Sequence, residues 1–78
     1  MQTRIRTLRE DHDLTQKRIS ELLHTSQVAY SYYELNKRNI PIDLLCKLAD
    51  FYNTSIDYLL CRTDNPFPYS KISKSKNA

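Results

Sequence analysis

Apolar residues return along this chain at three- and four-residue intervals, the period of a helix with one buried face. Ile5 and Leu8, with His12 in phase, predict a first helix over about residues 2–11, and Asp11-His12-Asp13 interrupts it. Ile19, Leu22 and Leu23 give the apolar side of a second helix over residues 16–23, which Thr15 can cap. Arg18 stands where a reciprocal capping box would place Glu. His24-Thr25 makes a turn, and Ser26 is a good N-cap for a third helix over about 27–35 with Tyr30 and Tyr33 inward. Asn36 then suits a left-handed C-terminal position, which Asn tolerates better than other non-glycine residues. Pro41 fits the first position of a fourth helix, to about residue 52, with Ile42, Leu45, Leu48, Ala49 and Tyr52 inward. Thr54-Ser55-Ile56-Asp57 resembles a capping box and opens a short fifth helix carrying Ile56, Leu59 and Leu60. The fold class is therefore all-α, five short helices, with no internal repeat.

Composition narrows this picture. Seventy-eight residues make one small domain, which buries only about 60% of its unfolded surface. A hydrophobic content of 40% supports one compact core but not a deep catalytic cleft as well. Glycine is absent and proline occurs three times, so helices with few sharp turns are expected. Residues 66–78, PFPYSKISKSKNA, contain two prolines and no acid. They read as a flexible basic tail after a domain of residues 1–65, with packing of Phe67 and Tyr69 on the domain, or added non-specific attraction to phosphate, as the alternatives. No long apolar run and no charged-then-apolar N-terminal signal occurs, which argues against membrane insertion and secretion. Cys46 and Cys61 have no His or Cys at metal-ligand spacing. They read as buried or half-buried reduced thiols of a cytosolic protein, with a redox or dimer-bridging role as the alternative.

The net charge of +3 is unevenly placed. Residues 1–65 hold nine Lys/Arg and nine Asp/Glu, so Lys71, Lys74 and Lys76 supply the whole excess. Within the domain, residues 15–39 carry Lys17, Arg18, Lys37 and Arg38 against Glu21 and Glu34. Residues 43–57 carry Asp43, Asp50 and Asp57 against Lys47. One end of the molecule should attract phosphate and the other repel it. The third helix would expose Gln27, Val28, Ser31 and Tyr32 along one side. A helix lying in the major groove can pair Gln with adenine and set Val against a thymine methyl. Tyr32 could bond a base or a phosphate through its hydroxyl. Gln16, Lys17, Ser26, Asn36, Lys37 and Arg38 are phosphate candidates, aided by the amides that open the second helix. Arg18 could face away, and Arg4 and Arg6 could reach the DNA backbone or nothing. His12 and His24 have no nucleophile or shielded pocket placed beside them by any motif, so no catalytic residues, metal or cofactor are assigned.

In this arrangement the chain resembles the Cro and lambda-repressor-type (XRE-like) helix-turn-helix family. The resemblance runs from about residue 5 to residue 64. It is carried by LRE at 8–10 before LTQ at 14–16, SQVAYSYYE at 26–34, NKRNIP at 36–41 and KLADFYNTSIDYLL at 47–60. The resemblance implies a lambda-repressor-like fold with the helix-turn-helix in the second and third helices. It implies an ion pair between Arg9 and Glu34, a phosphate contact from Gln16, and base reading by Gln27, Val28 and Tyr32. The chain departs from the family at His24, Asn36 and Cys61, where glycine is usual, at Ser20, where Ala is usual, and at Tyr32, where a long polar side chain is commoner. His24 must then take a positive φ at some cost, or its turn differs.

The function this implies is that of a sequence-specific double-stranded DNA-binding transcriptional regulator. It would be a repressor bound as a homodimer to a palindromic operator, cytoplasmic and nucleoid-associated, from a prokaryotic cell or phage-encoded. Dimer contacts are expected from the fourth and fifth helices, where Leu44 and Cys46 look more apolar than a solvated surface needs. No effector domain, small-molecule ligand or enzymatic activity is expected. The alternative is an antitoxin-like or adaptor protein using the same fold to hold a protein partner.

Overall fold

The computed structural model describes residues 2–69, and among these it has five helices and no strand. They are α1 (Ile5–Asp11), α2 (Gln16–Leu22), α3 (Gln27–Glu34), α4 (Ile42–Phe51) and α5 (Ile56–Leu59). The all-α class follows from the periodicity. Each helix sends one large side chain completely out of solvent: Ile5, Ile19, Tyr30, Leu48 and Leu59. These five meet in a single core with Leu23, Ile40, Leu44, Leu45, Ala49 and Tyr52. Burying an aliphatic side chain of this size stabilises a fold by about 1.5–3 kcal/mol, so helices too short to persist alone are held by packing.

Three helices begin on a capping hydroxyl. Thr15 accepts from the Arg18 amide, Ser26 from Ala29 and Ser55 from Tyr58, at 3.0, 3.1 and 3.0 Å. The cap of α5 is therefore Ser55 and not Thr54, whose buried hydroxyl donates instead to the Pro66 carbonyl at 2.6 Å. Pro41 is likewise the cap of α4 rather than its first helical residue. The first helix begins at Ile5, later than the expected residue 2, and the Arg4 amide just before it donates to the Leu59 carbonyl at 2.8 Å.

All five helices end in the same way, and none uses glycine. Asp13, His24, Asn36, Asn53 and Cys61 each take a positive φ, between 53° and 62°. In every case the left-handed residue and its successor return their amides to the last turn. After α2, for example, His24 N–H donates to Glu21 and Thr25 N–H to Ser20, at 3.1 and 3.0 Å. This double closure satisfies carbonyls that the helix leaves open. Asn and Asp enter the left-handed region more readily than other residues with a Cβ, so His24 and Cys61 carry the larger strain.

Two expectations for α4 are corrected. Ile42 is not inward but 65% exposed, and Leu44 is not a surface residue but 8% exposed, inside the core. The buried stripe runs through Leu44, Leu45, Leu48, Ala49 and Tyr52. Ile42 lies to one side of it on the first turn. Cys46 and Cys61 are exposed thiols rather than buried ones. Cys46 falls off the apolar stripe, and Cys61 occupies the left-handed position after α5. Of the segment read as a tail, Pro66 and Tyr69 touch the domain. Besides the Thr54–Pro66 bond, the Tyr69 hydroxyl donates to Asp57 at 2.6 Å, while Phe67 stays exposed. The rest of that segment, with Lys71, Lys74 and Lys76, lies outside the described residues.

Candidate nucleic-acid interface

The turn between α2 and α3 runs from Leu23 through His24 and Thr25 to Ser26. It sets α3 with Tyr30 facing the core and Gln27, Val28, Ser31 and Tyr32 on the other side. Gln27 is exposed, Val28 is 63% exposed, and Ser31 and Tyr32 are half-buried. Tyr33 is half-buried against the core, as its place in the helical period requires. An apolar Val left in solvent beside a Gln at the first turn of a capped helix is a surface suited to base edges.

What holds this helix at its angle is a buried polar knot behind it. The Arg9 guanidinium donates to both oxygens of Glu34, at 2.6 and 3.2 Å, and to the Leu14 carbonyl at 2.7 Å. One side chain thus binds α1, the turn before α2, and α3 together. The Gln16 amide donates to Glu34 at 3.0 Å, adding α2 to the same carboxylate. The Arg9 and Glu34 side chains are 12% and 2% exposed. Burial by itself would push the Glu34 carboxyl up. The hydrogen bonds from Arg9 and Gln16, with the Tyr30 hydroxyl nearby, outweigh it and hold the group below its ordinary value. Arg9 in turn is raised, chiefly by its bond to Glu34. The Tyr30 hydroxyl is buried without a well-formed hydrogen bond, and burial together with the nearby carboxylate keeps it protonated. Tyr52 is pushed up to about 12 by burial.

The other residues read as phosphate candidates fall into two sets. Lys17, Asn36, Lys37 and Arg38 are exposed, and Ser26 is exposed at the α3 cap. Gln16 instead is half-buried, with its amide nitrogen occupied by Glu34. Lys37 and Arg38 lie over the Tyr32 ring, at 6.0 and 5.5 Å from its centre. Of the remaining basic residues, Arg18 pairs with Glu21 and Arg6 with Glu10 on exposed helix faces. Arg4 is turned into the fold, bonded to the carbonyls of Tyr58 and Thr63 and stacked 4.4 Å over the Tyr58 ring. Nothing in the sequence signalled the Gln16–Glu34 or Arg4–Tyr58 contacts, because they join residues far apart in the chain.

An open hollow of about 310 Å³ lies between α2 and α4, lined by Ile19, Leu22, Leu23, Lys47, Asp50 and Phe51. No group of three or more metal-ligating side chains occurs among the described residues. No described helix is long and apolar enough to cross a membrane.

A family profile described as helix-turn-helix matches residues 5–59. The chain is 38% identical over 65 residues to an uncharacterized HTH-type transcriptional regulator, YobD, of Bacillus subtilis. That match covers 83% of this chain and 58% of the relative. It is 39% identical over 57 residues to the HTH-type transcriptional regulator ImmR of the same organism, covering 73% of this chain and 45% of the relative. The chain thus spans about half the length of the curated relatives it matches. No solved structure matches it. The short capped helices, the turn at His24 and the profile match along nearly all of the folded body agree, and the chain belongs to the XRE-like helix-turn-helix family of Cro and lambda-type repressors.

Proposed function

We propose that this protein is a sequence-specific double-stranded DNA-binding transcriptional regulator, acting as a repressor. The observation that carries the reading is the uncovered face of α3, with Gln27 and Val28 in solvent at its capped first turn and the basic pair Lys37–Arg38 just beyond its end. Gln27, Val28 and Ser31 face the base edges, and Tyr32, read from the sequence as a further base contact, lies on that side of the helix with its ring beside Lys37 and Arg38. Lys17, Ser26, Asn36, Lys37, Arg38 and the start of α2 at Gln16 meet phosphates on either side. The bound form is a homodimer on a palindromic site, its two α3 helices about 34–36 Å apart, one turn of duplex. With Leu44 in the core, the contact surface proposed for α4 rests on exposed Ile42 and Cys46. Sedimentation on operator DNA checks this, and a monomer there removes it.

Selection of bound sites from random duplexes tests the reading, and a palindromic motif is the expected result. On that site Gln27→Ala costs about 1–3 kcal/mol and relaxes the choice of base. Lys37→Ala weakens all sequences alike and lowers the salt slope by about one. The zero net charge of residues 1–65 favours a second reading, a protein-holding module on the same fold. Affinity for duplexes that does not fall steeply between low and moderate salt decides for that one.

A further inference from the structure

Tyr32 holds the basic loop in two ways at once. Its backbone carbonyl accepts the amide of Lys37 at 2.9 Å and that of Arg38 at 3.4 Å, the first of these being part of the closure after α3. Its ring lies under the charged ends of the same two residues, 6.0 Å from the Lys37 ammonium and 5.5 Å from the Arg38 guanidinium. Two adjacent cations repel each other and, on long side chains, sample many rotamers. A ring face carries negative charge density and attracts both.

We propose that Tyr32 is a positioning residue. Its aromatic face preorganises Lys37 and Arg38 as a paired clamp for one stretch of nucleic-acid phosphate, and the ring rather than the hydroxyl is the working part. The proposal rests on the reading of α3 and its loop as a duplex-binding surface. It assigns Tyr32 a role in affinity for every sequence and not in the choice of bases. Side chains ordered beforehand lose less freedom on binding, so the ring strengthens a contact it does not make itself.

The first readout needs no DNA. In the free protein, NMR should show the Lys37 ε-methylene and Arg38 δ-methylene protons shifted upfield by the Tyr32 ring. The shift should survive in Tyr32→Phe and vanish in Tyr32→Leu. Ordinary positions for both methylenes in the wild-type protein overturn the proposal whether or not any duplex binds. The second readout is affinity for the preferred duplex and for a scrambled one. Tyr32→Phe should stay within about twofold of wild type on both, while Tyr32→Leu should weaken both alike, by about two- to tenfold. Lys37→Ala should cost less in the Tyr32→Leu background than alone. A Tyr32→Phe protein that loses affinity for the preferred duplex only assigns base reading to the hydroxyl and overturns the clamp. Full affinity in Tyr32→Leu does the same. If Tyr32→Leu fails to fold, Tyr32→Gln takes its place in both arms. If the wild-type protein binds no duplex but shows the upfield shifts, the duplex reading fails while the stacked pair stands.

Discussion

The turns α2–α3 and α4–α5 are built from nearly the same parts. His24-Thr25-Ser26 and Asn53-Thr54-Ser55 each place a left-handed residue first, a Thr second and a capping Ser third. The backbone bonds match as well, from Thr25 to Ser20 in one and from Thr54 to Ala49 in the other. What differs is the cover. In the second turn both Thr54 and Ser55 are buried, and Pro66 lies against the Thr54 hydroxyl. In the first turn Thr25 is half-buried, Ser26 is exposed, and the helix that follows shows Gln27 and Val28 to solvent. One turn with two surroundings yields a structural corner and a surface able to meet a partner. Local geometry is therefore common to both turns; what sets α3 apart is that, among the described residues, none is packed over Gln27 and Val28.

The comparison can be broken from behind α3. Arg9→Ala or Glu34→Ala strands the opposite charge in a nearly dry site and should destabilise the fold by about 3–5 kcal/mol, read as a lowered urea midpoint. Arg9→Lys should recover little of this, since an ammonium cannot span both Glu34 oxygens and the Leu14 carbonyl.

The same knot should give the protein a pH window. Glu34 is held below its ordinary value, so its contribution is present above about 4.5 and is lost as pH falls through the folded value. Tyr52, raised to about 12, and Tyr30, raised further, act on the other side. Their contributions are complete below about pH 10 and are lost as pH rises from there toward the folded values. Melting temperatures across pH should therefore fall on both flanks, and an unchanged alkaline flank in Tyr52→Phe would exclude that phenol as a cause.

The caps sharpen the contrast between the two turns. Ser55→Ala should cost about 1–2 kcal/mol and Ser26→Ala nearer 0.5–1, because only the first leaves a buried amide without water to replace the hydroxyl. Equal losses in chemical denaturation would mean that cover has no bearing on the cap. Substitution of the left-handed residues has the opposite sign. His24→Gly should stabilise by about 1 kcal/mol and Asn53→Gly by less, since Asn already tolerates the left-handed region.

Much of this was legible in the residues themselves. Thr15 and Ser26 were readable as caps because a hydroxyl before an apolar period has few other uses, and Tyr30 was readable as core from its phase. The cap of α5 was misplaced by one residue, because Thr54 and Ser55 are chemically interchangeable there. Only the Pro66 carbonyl, twelve residues on, decides between them. Ile42 and Leu44 exchange places because a stripe read from Pro41 onward starts two residues too early. Ile40 is buried in a loop, where no period exists to announce it. In the candidate interface the exposed face of α3 could be read from its spacing, but the turning of Gln16 onto Glu34 and of Lys37 and Arg38 onto Tyr32 could not. Those depend on where a side chain finds its partner in three dimensions.

The anchoring of Arg4 has a topological consequence. Its amide meets Leu59, and its guanidinium meets Tyr58, Thr63 and Asp64, so the two ends of the folded body lie side by side. Such a body can be circularly permuted by a short bridge between those ends, reopened at an exposed loop such as that around Asn39. For the same reason it can be spliced into a host protein at a single point, entering and leaving through one doorway.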